Sequence, residues 1–287
     1  MKNISIILTL CLLPLILLAQ PEVPIEEWTG RSILFIGAHP DDDTHAHGTL
    51  AMLHENGNDV NIVLLTTGNV GTADPTMTRM RLEKIRRQEQ LAAMAELGLS
   101  EDQYFNLGYT DGMVEFADKE EVVKQLVRYI RKFKPDVLIS FDPGWGYQRW
   151  HKSDHRASAY LAADAARAAE WHLIFPGQIH QEGLEPHSVN EYLFYSGPSE
   201  SRNVHVDISN YAEQKATART KYISQFSRES FNNYTGPNPE DLPGDAGDRF
   251  VERMRRNVFE RNLRNGVPHE SFRYYRGIPD GMGSRRD

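Results

Sequence analysis

The chain has 287 residues and a formal net charge of −8, with 40% hydrophobic and 25% charged residues. This composition is that of a soluble globular protein large enough to bury a sizeable core, and an acidic chain without a basic stripe argues against nucleic-acid binding. The single cysteine, Cys11, lies in an apolar N-terminal run. Thiolate ligands, cysteine nucleophiles and disulfides are therefore excluded from the rest of the chain, and any metal must be held by His and carboxylate side chains.

The first twenty residues are typical of a secretory signal peptide. Lys2 is followed by the apolar run 4–18 and then by Ala19 and Gln20, which gives a positive start, a short apolar core and a small residue at the exit. The run is short for a membrane span, which needs roughly 20 apolar residues, and an uncleaved anchor is the alternative. We predict a signal peptide over residues 1–20 and a secreted or periplasmic chain with no stable membrane span after cleavage.

Strands and helices alternate in the next 150 residues. Short apolar runs predict strands, and longer patterns with caps predict helices. The predicted strands are 32–37, 59–66, 104–107 and 137–141, and the predicted helices are 48–56, 78–97, 118–134 and 155–171. This alternation predicts an α/β, Rossmann-like fold, with a mostly parallel β-sheet and helices on both faces.

The pattern changes beyond about residue 190. Short strands are predicted at 191–195 and 204–206, and a helix at 211–226. Residues 232–248 are rich in Pro, Gly and Asn and predict a loop, and the charged segment 252–265 predicts a surface helix. Because this region has no apolar core of its own, we predict a single domain over 21–287, with an irregular C-terminal extension from about residue 227.

A dense polar cluster, Ala38-His39-Pro40-Asp41-Asp42-Asp43, follows the first strand. Ligands of open α/β sheets bind beyond the carboxyl ends of strands, and Pro40 makes the segment rigid. His39 and Asp42 can then surround an ion, while the neighbouring carboxylate stays free to accept a proton from bound water. The alternative is that the aspartates only cap the following helix.

A second cluster follows another apolar strand. Asp142-Pro143-Gly144-Trp145 comes directly after it, and His151-Lys152-Ser153-Asp154-His155 comes shortly afterwards. Because parallel strands put their carboxyl ends on one edge, His155 can meet His39 and Asp42. Two His and one carboxylate with an open fourth position form a catalytic zinc arrangement, which other divalent ions also accept. Taken alone, Asp154 could cap its helix and His155 could lie at the surface.

These motifs resemble the LmbE/PIG-L family of zinc-dependent N-deacetylases. The resemblance covers roughly residues 32–226 and rests on several segments. They are Ala38–Asp43, Gly48–Ala51, Thr66–Asn69, Arg86 to Gly98, Leu107–Gly112, the pair Asp154-His155, Val206–Ile208 with Lys215, and Ser224-Gln225.

The resemblance implies a role for each matching residue. One zinc ion per chain would be held by His39, Asp42 and His155, and Asp41 would be the general base that activates zinc-bound water. The products would be acetate and a free amine, often an amino sugar. Asp111 would lie near the substrate and bind sugar hydroxyls. Arg86 is a second candidate for substrate binding, with a solvated charge on a helix as its alternative.

The chain departs from the family pattern at several positions. The family usually has His-Pro-Asp-His at the second motif, whose first His position matches Lys152 here, with His151 one residue earlier. Either side chain could supply positive charge to a developing oxyanion; we favour His151, because His also donates a proton near neutral pH.

Three other departures bear on the site. His45 and His47 stand where small residues are common; packing is favoured over lining the site or binding a second metal. Tyr222 occupies a position where the family has His. The aromatic segment 145–150 suits either stacking on sugar faces or a packed loop.

Two other functions compete with a deacetylase acting on a small-molecule or glycan substrate. One is a non-catalytic secreted carbohydrate-binding protein of the same fold, against which the intact Asp41 argues, since binding alone does not need a free base. The other is a metal hydrolase of a different amide or ester bond. A two-metal phosphoesterase needs additional ligands, which only His45 and His47 could add.

Overall fold

The computed structural model describes residues 20–72, 74–144, 153–227, 234 and 236–277. The strands are Ser32–Gly37 (β1), Asp59–Thr66 (β2), Tyr104–Tyr109 (β3), Val137–Phe141 (β4), Glu191–Tyr195 (β5), Val204–Asp207 (β6), Leu263–Arg264 (β7) and Val267–Arg276 (β8). The helices are His47–Glu55 (α1), Arg79–Glu96 (α2), Lys119–Phe133 (α3), Ser153–Ala169 (α4), Pro176–His180 (α5), Ala212–Thr220 (α6), Ile223–Phe226 (α7) and Ala246–Arg256 (α8). The predicted signal peptide lies outside the described residues, except for Gln20, and stays a prediction.

The sheet confirms the predicted α/β fold. Its strand order is β3-β2-β1-β4-β5-β8-β6, with β7 paired to β8. The first five strands in this order are mutually parallel, whereas β8 runs antiparallel to both β5 and β6. The chain order reverses beside β1, whose neighbours are β2 on one side and β4 on the other. This reversal is a topological switch point, where α/β sheets open a crevice for ligands.

Alternate residues of β1 build the two apolar layers. Ile33 and Phe35 pack with α1 and α2 on one face, and Leu34 and Ile36 pack with α3 and α4 on the other. All four side chains are fully buried. A strand buried on both faces carries a continuous apolar run rather than an alternating one, which is why the sequence identified β1 correctly.

The predicted single helix over 211–226 is divided into α6 and α7. The chain leaves the helix at Lys221, and the side chain of Tyr222 turns into the interior, where it is 0% exposed. Its hydroxyl group donates a hydrogen bond to Asp43 Oδ1 at 2.9 Å. Burial of this aromatic ring, with a partner for its hydroxyl, interrupts the helix.

The prediction of an irregular extension from about residue 227 is wrong for the described residues. Helix α8 begins at Ala246, inside the predicted loop 232–248, and the chain then passes through a π-helical turn at Asn257–Arg261 instead of continuing as a helix to 265. Strand β8 follows and lies inside the sheet, between β5 and β6. No helix in the described part of the chain is long and apolar enough to cross a membrane.

Candidate metal centre and active site

The structure brings the predicted metal ligands together at the switch point. His39 and Asp42 directly follow β1, and His155 lies in the first turn of α4, after β4. Since β1 and β4 are adjacent and parallel, both segments emerge at the same edge of the sheet. His155 Nε2 lies 3.2 Å from His39 Nδ1 and 3.3 Å from Asp42 Oδ1. Three donor atoms converge there, as the predicted site requires.

Asp42 is held so that one carboxylate oxygen points at His155. Its Oδ2 accepts hydrogen bonds from the backbone N–H groups of Ala38 (2.7 Å) and His39 (2.8 Å). The other oxygen, Oδ1, faces His155. Gly37 allows this tight turn, because a Cβ atom at that position would lie 2.9 Å from Leu64 Cδ2 and 3.1 Å from Asp42 Cβ.

The outer nitrogen of His39 faces two carboxylates. Its Nε2 lies 3.0 Å from Asp111 Oδ1 and 3.4 Å from Asp154 Oδ2. A metal-binding His commonly donates its second N–H to a carboxylate, which fixes the ring and strengthens the ligand. Burial lowers the pKa of His39, but hydrogen bonds to Asp111, Asp154 and Asp42 outweigh it and hold this pKa well above its ordinary value. The cluster therefore favours positive charge, and its oxygen and imidazole donors fit zinc.

Asp111 and Arg86 both form hydrogen bonds to the loop that contains Val70 and Gly71. Asp111 Oδ2 accepts hydrogen bonds from the N–H groups of Val70 and Gly71, and Arg86 donates to the carbonyl oxygen of Gly71 at 2.9 Å. Burial raises the pKa of Asp111, but the bond from His39 and these amides hold it at about 2. The solvated alternative for Arg86 is wrong, because this residue is only 2% exposed. Both residues brace the loop beside His39, which the sequence did not indicate.

Asp154 is a site residue whose part the sequence reasoning missed. Its carboxylate accepts hydrogen bonds from the N–H groups of Gly112 (2.6 Å) and Val114 (3.0 Å), and it is 1% exposed. It therefore does not serve as a simple helix cap. The carboxylate instead connects α4 to the segment after β3 and to His39.

Asp41 adopts a backbone conformation that is uncommon outside glycine, with φ at 110°. Strain of this kind costs about 1–3 kcal/mol and is retained where the surroundings enforce it. Here the N–H group of Asp41 donates to Gln90 Oε1 at 3.2 Å, and its carbonyl oxygen accepts from Thr44 N–H at 3.0 Å. Its side chain makes no helix-capping hydrogen bond. The capping alternative for this aspartate is therefore wrong.

A buried polar network lies beneath this turn. Gln90 Nε2 donates to Asp43 Oδ2 at 2.7 Å, and Tyr222 donates to Asp43 Oδ1. His47 packs on the Tyr222 ring, with Nε2 3.2 Å from Asp43 Oδ2, although the geometry is not that of a hydrogen bond. Because Asp43, Gln90, Tyr222 and His47 are all 0% exposed, the network fixes the turn from below. His47 thus packs against Tyr222 in the interior, which is the alternative that the sequence analysis favoured.

Metal-capable donors form two groups among the described residues. One is His39, Asp42 and His155; the other is His39, Asp111 and Asp154. His45 and His47 belong to neither. The predicted acid His151, its alternative Lys152 and the aromatic segment 145–150 lie outside the described residues. Asp142, from the second motif, forms a two-armed ion pair with Arg273 of β8, with both N–O distances at 2.7 Å.

The match of sequence and structure to known proteins decides the family. The family model for PIG-L, the GlcNAc-PI de-N-acetylases, matches residues 34–166. Diacetylchitobiose deacetylase from Thermococcus kodakarensis is 32% identical over 197 residues, which cover 68% of this chain and 70% of that protein. The chain belongs to the PIG-L family. This membership confirms the resemblance drawn from the motifs.

Two further PIG-L relatives extend the comparison. The 1D-myo-inositol 2-acetamido-2-deoxy-alpha-D-glucopyranoside deacetylase from Kineococcus radiotolerans is 31% identical over 172 residues, which cover 48% of each chain. The solved structure of N,N'-diacetylchitobiose deacetylase from Pyrococcus horikoshii superposes with a TM-score of 0.69 and 25% identity, covering 88% of both chains. These named relatives are enzymes that remove N-acetyl groups.

Glu89 connects this site to α7 and gives a pH-dependent stability prediction. Its carboxylate accepts hydrogen bonds from the N–H group and hydroxyl of Ser224, and burial raises its pKa from 4.5 to about 7. Between these two values the folded state holds a proton that the unfolded state has released. Stability should therefore fall as pH rises from about 4.5 to 7, by about 3 kcal/mol from this group.

Urea unfolding at pH 5 and pH 8 tests this expectation. The parent protein should lose more unfolding free energy between these pH values than Glu89→Gln, which cannot ionise. Glu240→Gln, at an exposed position, serves as the matched control and should behave like the parent. Equal losses in the parent and in Glu89→Gln would show that Glu89 titrates normally.

Proposed function

We propose that this protein is a zinc-dependent hydrolase that removes an N-acetyl group from an amino sugar or glycoconjugate. The observation that carries the proposal is the convergence of His39, Asp42 and His155, whose donor atoms lie within 4.8 Å of one another beside Asp41. Membership in a family of de-N-acetylases supports the reaction type. The excess of carboxylate around His39 supports a bound cation.

In the proposed reaction, the metal and the side chains of this protein have separate roles. A zinc ion held by His39, Asp42 and His155 would supply Lewis acidity, which would polarise the amide carbonyl and lower the pKa of a water molecule. Asp41 accepts the proton of the attacking water as its oxygen bonds to the carbonyl carbon, and then delivers that proton to the nitrogen as the C–N bond breaks. The products are acetate and a free amine. His151, or Lys152 in its place, would stabilise negative charge on the carbonyl oxygen.

A location outside the cytoplasm is part of the proposal. The N-terminal pattern of Lys2, the apolar run and Ala19 supports export, and an extracytoplasmic glycan is then the expected substrate. N-terminal sequencing of the exported protein tests cleavage near Ala19 or Gln20, and an intact Met1 would exclude it.

Acetate release from N-acetylated sugars tests the reaction. The purified protein should release acetate and a free amine from at least one of N-acetylglucosamine, N,N'-diacetylchitobiose and N-acetylglucosaminides, because His39, Asp42 and His155 converge beside Asp41. A chelator should abolish this release, and added zinc should restore it. Zinc bound at one ion per chain without any hydrolysis would favour the carbohydrate-binding alternative. Chelator-insensitive release would exclude the proposed metal mechanism.

A further inference from the structure

A second pocket lies beside the metal cluster, on the α6 face of the sheet. It has a volume of about 320 Å³ and is lined by Thr44 and His45 from the ligand-bearing turn, by Tyr195 at the end of β5, and by parts of α6 and β8. The His45 ring stacks on Tyr195 with centroids 5.0 Å apart and contacts Phe141 edge-on, while Phe141 stacks on His155 at 4.3 Å. One aromatic ring thus lies between the pocket and a metal ligand.

His45 lies within electrostatic reach of both sites. Burial lowers its pKa to about 4; the charge of Asp42 opposes this shift, and the charges of Lys215 and Arg219 add to it. The His45 ring is nevertheless solvent-accessible, because it faces the pocket. Arg219 in turn lies in the field of Asp41. The pocket therefore lies close enough to Asp41 and Asp42 for their charges to act on its lining residues.

The charges that line this pocket do not balance. Glu270 forms an ion pair with Lys215 and also accepts hydrogen bonds from the N–H groups of Gly48 (3.0 Å) and Thr49 (2.8 Å), so its charge is compensated. Two guanidinium groups remain, those of Arg202 and Arg219, and neither has a carboxylate within ion-pair distance in the described part of the chain.

The partners of these two arginines are neutral. Arg202 donates to the carbonyl oxygen of Gly197 at 2.8 and 3.1 Å, and the Arg219 guanidinium lies 4.9 Å from the centre of the Phe226 ring. Arg219 Nε is buried without a hydrogen-bond partner among the described residues. In a chain with a net charge of −8, two arginines at one pocket that form no ion pair with a described carboxylate indicate a negatively charged ligand.

We propose that this pocket binds an anionic group, a carboxylate or a phosphate, carried by the substrate, with Arg202 and Arg219 as its charged contacts. The inference rests on the proposed deacetylase function and specifies its substrate as an acidic N-acetylated amino sugar. Planar guanidinium groups bind both kinds of anion through paired N–H donors. Ser196, Asn257 and Asn262 also line the pocket and supply hydrogen bonds for sugar hydroxyls. Both arginines lie outside the residues matched by the family model.

Matched neutral and acidic substrates test the proposal on the zinc-loaded full-length protein. N-acetylglucosamine is compared with N-acetylglucosamine 6-phosphate, N-acetylglucosamine 1-phosphate and N-acetylmuramic acid, which separates phosphate from carboxylate. We expect kcat/KM at least about tenfold higher for one acidic sugar than for the neutral one. Arg202→Gln should lower kcat/KM for that sugar about tenfold, mainly through KM, and change the neutral sugar less than about threefold. Arg219→Gln should raise KM for the acidic sugar in the same way, in addition to any change in kcat that it causes for both sugars because its charge lies near Asp41. Arg202→Lys, which keeps the charge but loses the paired donors, should be intermediate, and the exposed control Arg261→Gln should match the parent.

A binding measurement separates this proposal from the hydrolysis proposal. The melting temperature of the protein should rise more with N-acetylglucosamine 6-phosphate or N-acetylmuramic acid than with N-acetylglucosamine, and Arg202→Gln/Arg219→Gln should lose this difference. Selective binding without acetate release would retain the anion site and overturn the deacetylase. Equal binding of neutral and acidic sugars, or equal effects of the arginine variants on both, would overturn the anion site while leaving the deacetylase in place.

Discussion

The Asp41→Asn variant is expected to bind zinc like the parent protein and to lose about 10³-fold in kcat, within the range that a positioned general base contributes. Asn preserves the shape of the side chain but cannot accept the proton of the attacking water. It also tolerates the backbone φ of 110° at this position, because Asn is several-fold enriched at positive φ. Ala would add backbone strain to the chemical change, so Asn is the cleaner replacement.

Zinc content and acetate release, measured on the same preparations, check this prediction. Asp59→Asn, at an exposed position at the start of β2, is the matched control and should retain parental kcat and zinc content. Residual activity of Asp41→Asn within tenfold of the parent would remove Asp41 from the role of general base. It would direct attention to the segment that carries His151 and Lys152.

The sequence predicted the parts of the fold that are determined by local pattern. Strands β1, β2 and β4 consist mostly of apolar residues, interrupted only by Asn61 in β2 and Ser140 in β4, and such runs identify strands buried on both faces. Once these strands are parallel neighbours, His39 and His155 must emerge at one edge, although 116 residues separate them. Placing the candidate metal ligands together therefore needed only the strand pattern and one topological rule.

The sequence did not predict features that depend on distant partners. Strand β8 carries Glu270 and Arg273, which resemble a solvated surface until Lys215 and Asp142, 55 and 131 residues away, are placed against them. Tyr222 similarly meets Asp43 across 179 residues. A buried charge is stable only when it is paired, and the local sequence pattern does not indicate which distant residue forms the pair. The strand at the centre of the antiparallel part of the sheet was missed for this reason.

Replacing Asp42 by Asn is expected to abolish stoichiometric zinc binding, although the variant differs from Asp41→Asn by only one position. Two backbone N–H groups donate to Asp42 Oδ2. In the Asn variant they favour the side-chain orientation that puts the amide oxygen at the Oδ2 position, because the NH₂ group cannot accept their hydrogen bonds. The NH₂ group must then occupy the position of Oδ1, 3.3 Å from His155 Nε2. An amide NH₂ is not a metal ligand, so one of the three donors becomes a group that repels the ion.

The reciprocal pair of variants therefore separates binding from chemistry in two neighbouring carboxylates. Metal analysis after dialysis should find about one zinc per chain in Asp41→Asn and well below one in Asp42→Asn, with deacetylation lost in both. Raised zinc concentration should restore turnover partly in Asp42→Asn, because its base is intact, and should not restore it in Asp41→Asn. If Asp42→Asn kept one tightly bound zinc, the ion would have to lie in the alternative donor group of His39, Asp111 and Asp154, and Asp42 would then serve to hold the turn after β1 through its two amide hydrogen bonds.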